Sequence, residues 1–155
     1  MRRTFILCLV PLLAACNSGL GGYWSGQLSC PGSDSANKFD VEIEKLQAGT
    51  YVGELLVEST ASASSGGSYY EAWRELGIDL SVNIDGKKAQ RLDYTAVVMD
   101  FSCKLWEDGN LVSSSCDEMG VEISADEDFD MGVWRWDGAD EISISDGDCD
   151  GEMIR

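Results

Sequence analysis

The sequence predicts an all-β domain, an antiparallel barrel of eight or nine strands or a barrel-like sandwich, with little helix and two disulfides. Three observations carry that expectation. Apolar and polar residues alternate along most of the chain, the period of a half-buried strand. Turn dipeptides (Asp85-Gly86, Asp108-Gly109, Asp137-Gly138, Asp146-Gly147) separate the alternating runs. The first and last runs also fit one antiparallel register. Placing Cys30 opposite Cys149 sets Leu28 opposite Gly151, Gly26 opposite Met153 and Trp24 opposite Arg155. Large then faces small twice, and a guanidinium can lie over an indole. Such first-to-last pairing closes a barrel and removes two exposed edges.

Taken in order, Trp24, Gly26, Leu28 and Cys30 share one face of a first strand. Phe39, Val41 and Ile43 alternate with Asp40, Glu42 and Glu44, and Tyr51, Gly53, Leu55 and Val57 continue the odd pattern. A three-residue loop closed by Gln47 and Tyr51 pairs odd with odd, so both apolar faces fall on one side. Residues 59–68 are Ser/Ala/Gly-rich without an apolar period and read as a mobile loop. Tyr69, Ala72, Trp73 and Leu76 have helical spacing and predict a short helix or lid. Ile78, Leu80, Val82 and Ile84 form a strand, and a long strand follows over 90–104 with a returning segment through Cys116. Met119, Val121 and Ile123 alternate beyond it, and 129–136, 141–145 and 149–155 complete the set. Trp134 and Trp136 share a face and either fill the interior or form an exposed platform.

The N-terminus reads as a cleaved secretory signal. Met1-Arg2-Arg3 is basic, 5–13 is apolar, and Leu13-Ala14-Ala15 precedes Cys16. This ending resembles the bacterial lipobox. The resemblance implies removal of 1–15 and acylation of Cys16 on sulfur and on the new amino terminus. Asn17, in place of an aspartate, then implies retention at the outer membrane, facing the periplasm. Residues 16–22 would form the lipidated cysteine and a flexible tether, and 23–155 a single β domain. The apolar run falls short of the ~20 residues needed to span a bilayer.

Gly22-Tyr23-Trp24 at the start of the first strand resembles the Gly-x-Trp motif of lipocalins. In that family an arginine near the chain end packs across the tryptophan, a role the resemblance gives to Arg155. The barrel it implies is lipocalin-like or calycin-like.

The chain carries a formal charge of −17 and no histidine. Removing 1–15 takes Arg2 and Arg3 and no acid, leaving nine bases against 28 acids, or −19. Such a field disfavours nucleic acid and suits a cationic protein or a divalent cation. Cys30, Cys103, Cys116 and Cys149 remain beside Cys16, and in an oxidising compartment they read as two disulfides. The register pairs Cys30 with Cys149, and Cys103 and Cys116 stand nearly symmetrically about the Asp108-Gly109 turn, so a hairpin with a bulge or a slightly longer loop pairs them. Without histidine, Ser-His-Asp and Cys-His nucleophile systems and the common histidine zinc sites are excluded. Asp146, Asp148, Asp150 and Gly151 match the opening of a calcium loop. Its closing ligand would have to be Glu152 or a carboxylate from 126–130.

The expected function is therefore a non-enzymatic, membrane-anchored binding or interaction module. One alternative is an acidic inhibitor or immunity-type lipoprotein that neutralises a cationic enzyme or toxin. A second is a carrier of a small apolar ligand.

Overall fold

A computed structural model describes residues 19–32, 36–86 and 88–155. The lipobox and Cys16 lie outside them. The described chain is all-β, with no helix among the described residues. Ten strands follow in order: β1 (Gly22–Ser29), β2 (Ala36–Gln47), β3 (Thr50–Ser65), β4 (Ser68–Asn83), β5 (Gln90–Arg91), β6 (Asp93–Glu107), β7 (Asn110–Ser113), β8 (Val133–Trp136), β9 (Glu141–Asp146) and β10 (Cys149–Ile154). They form one sheet in the order β5-β8-β9-β10-β1-β2-β3-β4-β6-β7, and every pairing is antiparallel.

The register expected between the chain ends is present. Gly26 faces Met153 and Leu28 faces Gly151 along β1 and β10. Both strands use glycine because their backbones approach closely. A Cβ on Gly26 would stand 1.8 Å from the Glu152 carbonyl oxygen, and one on Gly151 would stand 2.2 Å from that of Gln27. Between β2 and β3, odd residues face odd residues as expected, with Val41 opposite Leu55 and Phe39 opposite Val57. The turn there is tighter than the three-residue loop, because a bulge between Lys45 and Gln47 brings Thr50 opposite Gln47.

Two expectations are overturned. Residues 59–68 are not a loop, and Tyr69 to Leu76 is not a helix. β3 runs on to Ser65 and β4 begins at Ser68, in register from Thr50↔Asn83 to Ser65↔Ser68. Burial does not hold the Ser/Ala segment extended, since Ala61 to Ser65 are all exposed. The ladder to β4 does so, and β4 is itself backed by β6 as far as Tyr70↔Glu107. Pairing partners, which a sequence window does not contain, override the local pattern. The helical spacing of Tyr69, Ala72, Trp73 and Leu76 is split between the two faces of β4, odd positions outward and even positions inward.

The strand count also differs from eight or nine, because the expected long strand is interrupted at Leu92 into β5 and β6 and the short β7 pairs beside it. Residues 116–132 are turns and irregular chain apart from one bridge, Val97↔Asp128, so the alternation of Met119, Val121 and Ile123 does not make a strand. The ladder order is open, with β5 and β7 at its two edges. The expected closed barrel is thus met in its coarser part, a single antiparallel all-β sheet.

The core lies on the inner face. Trp24, Trp134, Trp136, Ile142 and Met153 are 0 or 1 % exposed, and Leu28, Phe39, Val41, Leu55, Ile78, Leu80 and Val82 join them in one cluster. Both disulfides form with the expected pairing, Cys30–Cys149 and Cys103–Cys116. The first ties the far ends of β1 and β10, and the second pins the 116–132 segment to the inner side of β6.

Candidate functional site

Two poles follow from strand direction. β1 leaves the first pole at Gly22, where the β2–β3 turn, the chain after Asn83 and residues 137–140 also gather. At this pole Arg155 reaches across Trp24, its guanidinium carbon 4.9 Å from the ring centre. Its Nη1 donates to the carbonyls of Gly19 (2.7 Å) and Gly21 (3.0 Å), and its Nη2 donates to Ala139 O (2.8 Å) and Asp140 Oδ1 (2.8 Å). The Trp24 indole N–H donates to Leu20 O at 2.8 Å. The expected motif residues Gly22, Trp24 and Arg155 are therefore brought together, as a clamp joining the two chain ends. They bear no reacting group. The second half of the expected tether is part of this clamp, since Leu20 is fully buried.

The interior is occupied. Trp134 and Trp136 fill it instead of forming a platform, and their indole N–H groups donate to Met131 O and Ala139 O, each at 3.1 Å. The apolar depression nearest the core is a dent of about 210 Å³ at the far end of the sheet. Leu28, Phe39, Val57 and Leu76 form its floor, Ile123 and Phe129 its wall, and Arg74, Asp130 and Asp146 its charged edge. Tyr94 fixes that wall. Its hydroxyl donates to Gly132 O (2.8 Å) and accepts from Met131 N (3.0 Å), and burial pushes its pKa upward.

The acids of the expected calcium loop are spread over the last hairpin and its edge. Asp146 faces Cys149 across a hairpin turn, and it lines the inner dent. Asp148 sits in the turn, while Asp150 and Glu152 occupy outward positions opposite Ser29 and Gln27. Among the described residues no three carboxylates or cysteines are grouped as a cation site. Instead the acids spread over a surface. Asp117, Glu118, Glu122, Asp126, Glu127, Asp128 and Asp130 are all exposed along the 117–130 segment, and Asp146, Asp148 and Asp150 continue it. Backbone hydrogen bonds hold part of that segment against β6: Val98 N to Glu127 O (2.9 Å), Asp126 N to Val98 O (2.8 Å) and Phe129 N to Ala96 O (2.9 Å).

At the far pole, β3 and β4 run on past the described part of β2, whose pairing is described as far as Ala36↔Thr60. Residues 61–65 carry the β3–β4 ladder ~16 Å further at strand rise. β6 and β7 lie beside it, held by Asp108 N to Tyr69 O (2.8 Å) and Tyr69 N to Asp108 Oδ1 (2.9 Å). The outward face of this four-stranded arm carries Trp73 with the Lys104 ammonium 4.8 Å from its ring centre. Trp106 pairs with Glu71 on one side and Leu111 on the other. This face was not legible as a site in the sequence. The odd-position run Tyr69, Glu71, Trp73 was its one signal, and helical spacing masked it.

Compared with known proteins, the chain matches no family model, no curated protein and no solved structure.

Proposed function

We propose that this chain is a non-enzymatic outer-membrane lipoprotein, acylated at Cys16, that engages a cationic protein through its acidic surface. The observation that carries the reading is a filled interior combined with ten exposed acids in 117–130 and 146–150 outside it. Buried tryptophans occupy the space a carried ligand would need. The apolar dent against the core, about 210 Å³, is smaller than the ~300–1,000 Å³ of typical ligand sites. Two larger depressions, about 640 and 660 Å³, are lined by Arg91, Asp93, Asp128 and Asp130 and by Glu42, Glu44, Glu54 and Asp79, so an apolar carrier is the poorer fit. Charge is what the exterior offers. A potential of that sign speeds encounter with basic partners and repels acidic ones.

The same reading takes the sheet as a closed barrel. Leu92 alone separates β5 from β6, and Leu92 N donates to Trp134 O at 2.9 Å. Residues 126–136 therefore lie along 90–98, which supports closure of eight principal strands into a rigid post. The packing of Trp24 under Arg155 supports a lipocalin-like ancestry for that barrel.

The test is retention of envelope proteins by the mature chain at low and high salt. Basic proteins retained at low salt and released at high salt are the expected result. Retention indifferent to salt, or dominated by apolar small molecules, overturns the reading.

A further inference from the structure

The acidic surface draws the proposed cationic partner in by charge at a distance, and where that partner makes contact rests on the same reading. We infer that the outward face of the β3-β4-β6-β7 arm is the place of contact, and that its occupant is a basic protein presenting arginine side chains.

The β3 and β4 part of the arm lies outside the core. No residue from Glu58 to Glu75 belongs to the core cluster. Yet β4 and β6 place Tyr69, Trp73 and Trp106 on one outward face, and β7 adds Leu111. Tyr69 and Leu111 are 48 % and 56 % exposed, and Trp73 and Trp106 are each half-buried. Trp106 stands diagonal to both Tyr69 and Trp73, so the rings step across the arm at ~7–8 Å. Half-buried tryptophans beside an exposed tyrosine on one sheet face match the composition of an interaction hot spot.

The charges between the rings select the partner. Glu71 lies directly opposite Trp106, and Glu58 and Glu75 face each other one step along the same face. An apolar partner would strip water from these carboxylates without replacing it. An arginine satisfies both features at once, its planar face on an indole and its N–H fork on a carboxylate. Lys104 already shows that the face takes a cation over Trp73. Trp106 is the ring with a carboxylate on its neighbour and no cation of this chain over it among the described residues.

The experiment titrates the mature chain with a nona-arginine peptide, reading tryptophan fluorescence and affinity at low salt. Trp106→Ala and Glu71→Gln are compared with the double variant Asp148→Asn, Asp150→Asn. Each arm variant is expected to weaken binding about three- to tenfold. The double variant is expected to change it less than about twofold. Glu71→Gln keeps size and fold, so the test survives if Trp106→Ala does not fold. Equal or greater loss in the double variant moves the contact to the acidic flank, which overturns the arm and leaves the cationic-partner reading standing. No binding to the unaltered chain overturns both.

Discussion

Arg155 caps Trp24, with its guanidinium carbon 4.9 Å from the indole centre and its Nη1 held by the carbonyls of Gly19 and Gly21. One side chain thus ties the residue after β10 to the segment just before β1. The ion pair to Asp140 adds little, because that carboxylate is 75 % exposed. The carbonyl bonds and the stacking carry the effect. Arg155→Ala is expected to cost about 2–3 kcal/mol in urea unfolding. Arg155→Lys should recover only a minor part, since a point charge cannot replace the fork. Equal stability of the two variants would contradict this account.

The β1–β10 seam makes a second demand. A Cβ on Gly26 would overlap the Glu152 carbonyl, so the two strands must separate to admit it. Gly26→Ala is expected to destabilise by roughly 3 kcal/mol, far beyond its change in apolar area. The neighbouring Ser25→Ala should be nearly silent. Thermal melts of the two variants check the contrast.

The disulfides divide the work unequally. Cys30–Cys149 spans 119 residues and Cys103–Cys116 spans 13. By loop-closure entropy the long link should contribute roughly 5 kcal/mol and the short one about 3. Replacing each pair with serine and comparing unfolding midpoints tests the order. Loss of the short link should also free the 116–132 segment, seen as faster backbone hydrogen exchange there.

Acid sensitivity has one named source. The backbone N–H of Ala139 donates to Asp137 at 2.7 Å and that of Glu141 at 3.1 Å. The Ala139 bond is the largest influence lowering the Asp137 pKa below its ordinary value. A depressed folded pKa means stability present above the unfolded value and lost as pH falls through the folded one. Asp137→Ala should therefore be less stable at neutral pH, with the gap narrowing below about pH 4. A gap that widens on acidification would reverse the assignment.

What could be read from the sequence depended on where the determining partner lay. The β1–β10 register and both disulfides were legible because glycine, cysteine and bulky residues complement one another along a constant pairing. The strand identity of 59–76 was not legible. Its exposed Ser/Ala run is held by a ladder to β4 and, through β4, to β6, and nothing in the run itself encodes that support. The aromatic face of the arm was lost with it. Trp73 and Trp106 become neighbours only once β4 and β6 are paired.

The start of the domain yields the last prediction. Gly19 to Gly21 were expected to belong to a free tether, but Leu20 is 0 % exposed and joins the core cluster. Its carbonyl takes the Trp24 indole proton, and the carbonyls on either side of it take Arg155. Only Asn17 and Ser18 then separate Cys16 from the clamp, a reach of ~10 Å fully extended. Leu20→Ala should cost about 2–5 kcal/mol, as for a core leucine. A domain begun at Gly22 should be less stable than one begun at Gly19 by a similar amount. Under the lipoprotein reading, Cys16→Ser should abolish fatty-acid labelling and leave the melting temperature unchanged. Leu20→Ala should do the opposite, keeping the label and lowering the melt. If Leu20→Ala melts like the unaltered chain, the clamp does not extend into the tether.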